Sequence, residues 1–464
     1  MIGAAPLRPF PIDLRPNSSI FAGGVAPSGA EKIEDIKTPP RTVGPIGSAL
    51  LSINGMIGAG IFAMPAILYS TLGSFAPWMI LIVGLLVGCS TLIIAQLAAM
   101  FRQSGGPQLY AQAAFGPATG FQVGWLLLLA IMASRAANFH VLVSYLAAIL
   151  PFFADPMIHS ATVLGLIALI TLINIVGMRV AVGGLVVGTL FKLTPIVLIC
   201  LVGYATKGLA TEFALPTFGA VEGTALLIYY AFAGGIANGY AAGEVKNPRR
   251  TIPRTMIQSL VAIIAFYMFV QFAFNAVAPD VSNADTPLAA MGQAVLGETG
   301  ALMMALAAIF SIATNQHTFW MTGPRIMFGM ARRGLLPAWL THLSSRSEVP
   351  DYSIYLFSTI VAALSLSGGF VLLAEVMGVG SQLIGFFAYA AFVVLRLRGQ
   401  AGHPQAIGVW WWLCIAVASA YSIFATIQAS LNAFALTGGL IALGTGLYFI
   451  AKRDETFTPE PEFD

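Results

Sequence analysis

Two basic residues lie in the middle of long apolar stretches of the chain. Lys192 lies in the stretch 189–195, and Arg135 lies in the stretch 134–140. If these stretches cross a bilayer, each buried charge costs about 3 kcal/mol or more, and such residues are candidates for a functional site. Asn138 lies on the same helical face as Ser134, four residues earlier, which adds an amide to the candidates beside Arg135.

Two glycine clusters interrupt other apolar stretches, in residues 52–65 and 229–240. A glycine in a helix interior costs about 1 kcal/mol relative to alanine. The clusters therefore predict either close packing between helices or unwound backbone, which membrane proteins tolerate where it lines a cavity. We keep both interpretations at this point.

Unwound backbone would offer two kinds of polar group. The N–H groups of Ala59, Gly60 and Ile61 would begin a half-helix and favour a carboxylate. The carbonyl groups near Ile57 and Gly234 would favour an ammonium group. Together they form a site suited to the backbone of an α-amino acid. The candidate substrate-binding residues are Ile57, Gly58, Ala59, Gly60, Ile61, Phe232, Ala233, Gly234, Arg135 and Asn138.

The composition indicates the elements that would position these residues. Of 464 residues, 58% are hydrophobic and 9% are charged, and the net charge is +3. Soluble domains carry about a quarter charged residues, so a soluble protein and a nucleic-acid binder are excluded. Long apolar runs without alternation favour helices over a β-barrel. We predict an all-α, polytopic membrane protein.

A helix needs about 20 apolar residues to cross the hydrocarbon core, and the chain has twelve such segments. The predicted transmembrane helices are 46–69, 75–100, 121–150, 159–177, 182–204, 223–243, 254–278, 299–327, 353–368, 370–395, 408–430 and 434–451. Residues 1–43 are predicted to be a disordered cytoplasmic tail, and residues 452–464 a second cytoplasmic tail. With both termini inside, all Lys and Arg residues outside the spans except Lys207 fall on the cytoplasmic side.

The glycine clusters fall in the first and sixth predicted spans. An odd-numbered repeat places its second copy upside down in the membrane. Two interrupted helices in corresponding positions are typical of an inverted-repeat transporter with a site near the membrane midplane. This position favours unwinding over packing alone.

Three motifs, in order, resemble the amino acid–polyamine–organocation (APC) superfamily. They are the glycine motif 57–62, the sixth span with its following loop, 230–253, and the loop after the eighth span, 325–337. The resemblance implies a five-plus-five inverted repeat with discontinuous helices 1 and 6 and two further helices, and amino acid transport by alternating access. Its parts would be residues 44–204, 205–397 and 398–451.

The resemblance also suggests a role for the buried lysine. In sodium-independent relatives, a similar lysine of the fifth span replaces a sodium ion. The Lys192 ammonium would bridge carbonyls near Met56 or Ile57 and a hydroxyl of the eighth span, Ser311 or Thr314. It would then either carry the coupling proton or act as a fixed strut in an exchanger.

The sixth span departs from several relatives, because Gly235 and Ile236 stand where an aromatic residue and an acid are found. The missing acid argues against a cationic substrate. Arg135 is either satisfied by backbone carbonyls or faces the site, where it would favour a neutral or anionic substrate side chain.

The prediction is a sodium-independent secondary transporter of neutral or, alternatively, acidic amino acids by alternating access, proton-coupled or exchanging, in the inner membrane of a bacterium. The alternatives are an amine or polyamine carrier and a non-transporting membrane sensor. Paired catalytic groups are absent from the sequence, so an enzyme is not expected. The sequence predicts no metal site, cofactor, nucleic-acid partner or obligatory protein partner; the expected partners are the amino acid substrate and the lipid bilayer.

Overall fold

The computed structural model describes residues 44–101, 106–176, 183–209, 212–236, 245–279, 285–345, 347–399 and 407–451. The regular elements of these residues are α-helices and short 3-10 turns, with no strand among them. The prediction of an all-helical chain is thereby confirmed for the described part. The two predicted tails lie outside it.

The helices of the described residues follow the predicted spans closely in position. They are α1 (Pro45–Met56), α2 (Gly60–Leu72), α3 (Ala76–Met100), α4 (Pro107–Phe115), α5 (Pro117–Ile149), α6 (Pro156–Val176), α7 (Gly183–Lys207), α8 (Phe218–Phe232), α9 (Pro248–Val277), α10 (Pro287–Arg332), α11 (Asp351–Ser367), α12 (Phe370–Arg398), α13 (Val409–Ile427) and α14 (Leu431–Ile450). Proline opens many of them, because the first turn of a helix does not need its N–H group.

Eight helical stretches of the described residues are long and apolar enough to cross a membrane. They are Gly60–Met100, Pro117–Ile149, Pro156–Val176, Arg249–Val277, Pro287–Arg332, Phe370–Arg398, Val409–Ile427 and Leu431–Ile450. Helices α8 and α11 are apolar but shorter, at 15 and 17 residues. The predicted total of twelve spans therefore stays a prediction.

The first predicted span is interrupted at residues 57–59. Helix α1 ends at Met56, α2 begins at Gly60, and Ile57 between them has a ψ of 78°, outside helical geometry. Glycines at positions 58 and 60 weaken the helix there.

The sixth predicted span also changes geometry at its glycines. Helix α8 ends at Phe232 and continues as a 3-10 turn, Ala233–Ile236. The remainder of the predicted span, residues 237–243, lies outside the described residues.

The two glycine clusters pack directly against each other. A Cβ atom on Gly234 would lie 2.0 Å from the carbonyl oxygen of Gly55, and one on Gly60 would lie 3.2 Å from Cα of Ala231. Tyr267 of α9 donates hydrogen bonds to Met56 O at 2.8 Å and to Ala231 O at 3.2 Å. Close packing and an interrupted helix, the two interpretations of the glycines, thus occur together.

Helix α5 runs through the interior and is buried along most of its length. Helices α10 and α12 pack against it, and α7 packs against α9 and α10. Helix α10 is itself broken at Leu296 and Gly297, where φ is 64° at the glycine. The predicted eighth span, which begins at residue 299, starts just after this break.

Candidate functional site

A cavity of about 100 Å³ lies beside the interruption between α1 and α2. One buried water needs on the order of 10–15 Å³, so the cavity is several times larger than the space that one water needs. The lining is mostly apolar, with a few polar groups that can orient a ligand. Of the predicted site residues, Gly58, Ala59, Gly60, Phe232, Ala233, Gly234, Arg135 and Asn138 line it.

The start of α2 presents backbone donors to this cavity. The first hydrogen bonds of the helix are made by the N–H groups of Phe62 and Ala63, both to Ala59 O at 3.0 Å. The N–H groups of residues 59–61 precede these bonds and lie at the positive end of the helix dipole. A carboxylate fits this end of α2. Ile61 itself is buried away from the cavity.

Protein donors already bind the carbonyl groups at the end of α1. Met56 O accepts from the N–H of Gly58 at 2.9 Å and from the Tyr267 hydroxyl. Ile57 O accepts from Lys192, and Ile57 does not line the cavity. The carbonyl groups at the end of α8, near Phe232 and Ala233, are therefore the better candidates for a ligand's ammonium group.

Lys192 is 1% exposed and reaches the interrupted helix from α7. Its Nζ donates to the Asn54 Oδ1 atom at 2.5 Å and to Ile57 O at 3.3 Å. The ammonium thus holds the last turn of α1 through two neutral oxygens. Bonding to the Ile57 carbonyl agrees with the sequence interpretation, whereas Asn54 had not been singled out.

The two hydroxyl groups predicted to share this ammonium do not bond it. Ser311 is fully buried on α10, but its Oγ has no hydrogen-bond partner among the described residues. Thr314 is exposed, and its Oγ1 donates to the carbonyls of Phe310 and Ser311 within its own helix. Because Thr314 lies on the outer face of α10, the structure does not bring it to the site.

Arg135 lies on the cavity wall and is 5% exposed. Its Nη1 donates to the Asn315 Oδ1 atom, and its Nη2 donates to Ser134 Oγ at 2.9 Å. Its Cζ lies 4.0 Å from the centre of the Phe319 ring, a cation–π distance. All three partners are uncharged side chains, and no backbone carbonyl of a described residue accepts from the guanidinium.

Asn315 connects the two buried cations. Its Oδ1 accepts from Arg135 and, at 3.4 Å, from Asn138, while its Nδ2 donates to Asn54 O at 2.9 Å. Lys192 bonds the side chain of that same Asn54. A continuous hydrogen-bonded chain therefore joins α7, α1, α10 and α5. Asn315, Gln316 and Thr318 make this part of α10 polar in the sequence, but the sequence does not show which of them would be at the centre of the chain of hydrogen bonds.

Tyr230 is a further polar group of the site that sequence reasoning missed. Its hydroxyl donates to Asn138 Oδ1 at 2.6 Å and lies 3.4 Å from Ser134 Oγ. It fixes the orientation of the Asn138 amide. The only signal in the sequence was that Tyr230 lies four residues before Gly234. Many aromatic residues of membrane helices lie near a glycine, so this signal did not single out Tyr230.

The charge of the cavity wall is positive. Arg135 contributes a cation, and no described residue of the lining carries a carboxylate. Among the described residues, no group of three or more His, Cys, Asp or Glu side chains could hold a metal ion.

Sequence comparison finds relatives that are named as transporters, exchangers and permeases. A serine/threonine exchanger of Bacillus subtilis, SteT, is 26% identical over 389 residues, which is 80% of this chain and 86% of the relative. The branched-chain amino acid permease BcaP of the same organism is 25% identical over 390 residues, 80% of this chain and 84% of the relative. An uncharacterized transporter of Mycobacterium tuberculosis is 26% identical over 383 residues, 79% and 82% of the two chains.

Among solved structures, a manganese transporter of Eremococcus coleocola, in complex with an aromatic bis-isothiourea compound, has the same fold. The TM-score is 0.58 at 17% identity, over 90% of this chain and 98% of that chain. This similarity concerns the fold alone.

The amino acid permease family model matches residues 43–450, nearly the whole chain. The matched part includes the interrupted first helix, the cavity and both buried cations. With its apolar helices and transporter relatives, the chain is a multi-pass membrane transporter, and it belongs to the amino acid permease family of the APC superfamily.

Proposed function

We propose that this protein is a sodium-independent secondary transporter of amino acids that works by alternating access, either proton-coupled or as an exchanger. The observation that carries the proposal is the contact of Lys192 with Asn54 Oδ1 and Ile57 O. Neutral amide and carbonyl oxygens are also ligands that suit a hard metal cation. A buried ammonium that occupies them supplies the positive charge without a bound ion.

The cavity supports an amino acid as the substrate. The start of α2 offers N–H groups to a carboxylate, and the end of α8 offers carbonyl groups to an ammonium. Two relatives are named for serine/threonine exchange and for branched-chain amino acid transport, which supports the same substrate class here. An amine or polyamine carrier is less well supported, because no described lining residue has a carboxylate to bind a second ammonium.

The proposal also covers the membrane topology. The protein would have twelve spans, with the inverted repeats in residues 44–204 and 205–397 and two further helices in 398–451. Both termini would face the cytoplasm, and the membrane would be the bacterial inner membrane. The Lys and Arg distribution supports this orientation.

Uptake by proteoliposomes of the purified protein tests the function. We expect a labelled amino acid to accumulate equally with sodium or with choline in the buffer. An imposed proton gradient stimulates a symporter, whereas internal unlabelled amino acid stimulates an exchanger. Uptake that required sodium would contradict the role of Lys192, uptake of polyamines alone would favour the alternative, and binding without uptake would indicate a sensor.

The hydrogen-bonded chain through Asn315 gives a second prediction. Asn315→Leu keeps the branching of the side chain but removes the acceptor of Arg135 and the donor to Asn54 O. Hydrogen bonds to charged groups contribute about 1.5–3 kcal/mol, so initial uptake rates should fall about tenfold or more. Thr318→Val is the control, because Thr318 is exposed on the same helix and, among the described residues, its hydroxyl donates only to the Thr314 carbonyl of that helix. Equal uptake by both variants would contradict a role for this chain.

A further inference from the structure

We infer that the substrate is an amino acid with an anionic side chain, and that Arg135 binds its side-chain carboxylate. The inference rests on the proposed function and narrows its substrate class. It starts from the uncompensated charge of Arg135 at the cavity wall.

Burial removes the guanidinium from water without giving it a counter-ion among the described residues. Its neighbours are the Asn315 amide, the Ser134 hydroxyl and the Phe319 ring. A buried cation needs hydrogen bonds and a compensating charge to offset its desolvation. These neighbours supply hydrogen bonds and orientation but no negative charge.

The guanidinium also has donors left for a ligand. It carries five N–H groups, and described side chains accept only two hydrogen bonds from it. Its Nε is buried and has no partner among the described residues. A carboxylate of the substrate can take two parallel hydrogen bonds from such a planar group, which is the strongest way to pair the two charges.

Arg135 is held close to the interrupted helix. The Asn315 Oδ1 atom that accepts its hydrogen bond lies 3.6 Å from the Cβ position of Gly58. The N–H groups at the start of α2 follow directly after that glycine. Two candidate places for a carboxylate therefore border the same cavity, one on the backbone of α2 and one on Arg135, as an acidic amino acid requires.

The rest of the wall favours the same charge. Its other polar side chains are uncharged hydroxyl and amide groups: Ser90, Thr91, Ser134, Asn138, Tyr229, Tyr230 and Ser381. Lys192 does not line the cavity and is bound to α1. A cavity wall with one cation attracts a substrate with a net charge of −1 and disfavours a cationic one.

Isosteric pairs test the inference on the unaltered protein. Uptake of labelled L-glutamate and L-aspartate is compared with uptake of L-glutamine and L-asparagine, which have the same shape without the charge. We expect the acids to be preferred by about tenfold or more in uptake rate divided by half-saturating concentration. Equal uptake, or preference for the amides, would overturn the inference and leave the amino acid transporter intact. Uptake of no amino acid would overturn the proposed function and the inference with it.

Arg135→Gln then assigns the preference to this side chain. We expect the folded variant to lose the preference for the acids over the amides. Relative to uptake of the acids, uptake of the amides should be at least as high as in the unaltered protein. Arg398→Gln is the matched control, since Arg398 is exposed at the end of α12 and outside the cavity lining, and it should keep the preference. A folded Arg135→Gln variant that still prefers the acids would overturn the role of Arg135. If this variant does not fold, the isosteric pairs decide.

Discussion

Replacement of Lys192 with alanine is expected to abolish uptake while the protein remains folded. The change removes the two hydrogen bonds from the ammonium to the Asn54 side chain and the Ile57 carbonyl. Hydrogen bonds to a charged group contribute about 1.5–3 kcal/mol each, so the loss should be at least about a hundredfold in uptake rate. The last turn of α1 would lose its connection to α7. Initial rates in proteoliposomes and size-exclusion profiles of the purified variant measure the two effects.

Lys207→Ala is the matched control for this experiment. Lys207 ends the same helix, is exposed, and lies far along α7 from the interrupted helix. It should transport at the rate of the unaltered protein. Full uptake by the Lys192 variant would show that the buried ammonium is not needed for transport, and the sodium-independent mechanism would lose its main support.

Gly234→Ala is expected to destabilise the protein and to reduce transport strongly. The new Cβ would lie 2.0 Å from the carbonyl oxygen of Gly55 and 2.7 Å from the nitrogen of Met56, both backbone atoms that cannot rotate away. The end of α8 and the end of α1 would have to separate. Overpacking of this kind costs typically about 1–3 kcal/mol. The measurement is the melting temperature of the detergent-purified protein, together with uptake.

Gly438→Ala in α14 is the control for this second prediction. A Cβ at Gly438 meets nothing within 4 Å, and alanine is the better helix former, so its melting temperature should not fall. Equal melting temperatures for the two variants would mean that α1 and α8 do not need their close approach. Normal uptake by the Gly234 variant would mean the same for transport.

Composition and apolar run length were sufficient for the class of protein and its helices. A transmembrane segment must be apolar over a set length, and both its length and its hydropathy can be read directly from its residues. The interruption of the first helix was also predictable, because the glycines at positions 58 and 60 act locally. Helix length alone does not decide the total of twelve spans, because α8 and α11 are too short to be assigned as transmembrane helices by length.

The site was predictable only in part. A lysine or arginine in the middle of an apolar run indicates a buried charge and a candidate functional site. Lys192 and Arg135 were therefore found from their own sequence context. Their partners were not, because Asn54 and Asn315 come from segments far apart in the chain, and an asparagine in a membrane helix has many possible acceptors. Thr314 and Ser311 looked equivalent in sequence, yet one lies on the outer face of α10 and the other inside.

The sequence by itself determined that this is a helical membrane protein of the APC superfamily, with a weakened first helix and two buried cations. Only the tertiary structure decided that Gly234 packs on Gly55, that Asn315 joins the two cations, and that Asn315, Ser134 and Phe319 surround the Arg135 guanidinium. The physical reason is that hydropathy and helix propensity are properties of a residue and its near neighbours. Hydrogen bonds, close backbone approach and charge compensation depend on which distant helices meet.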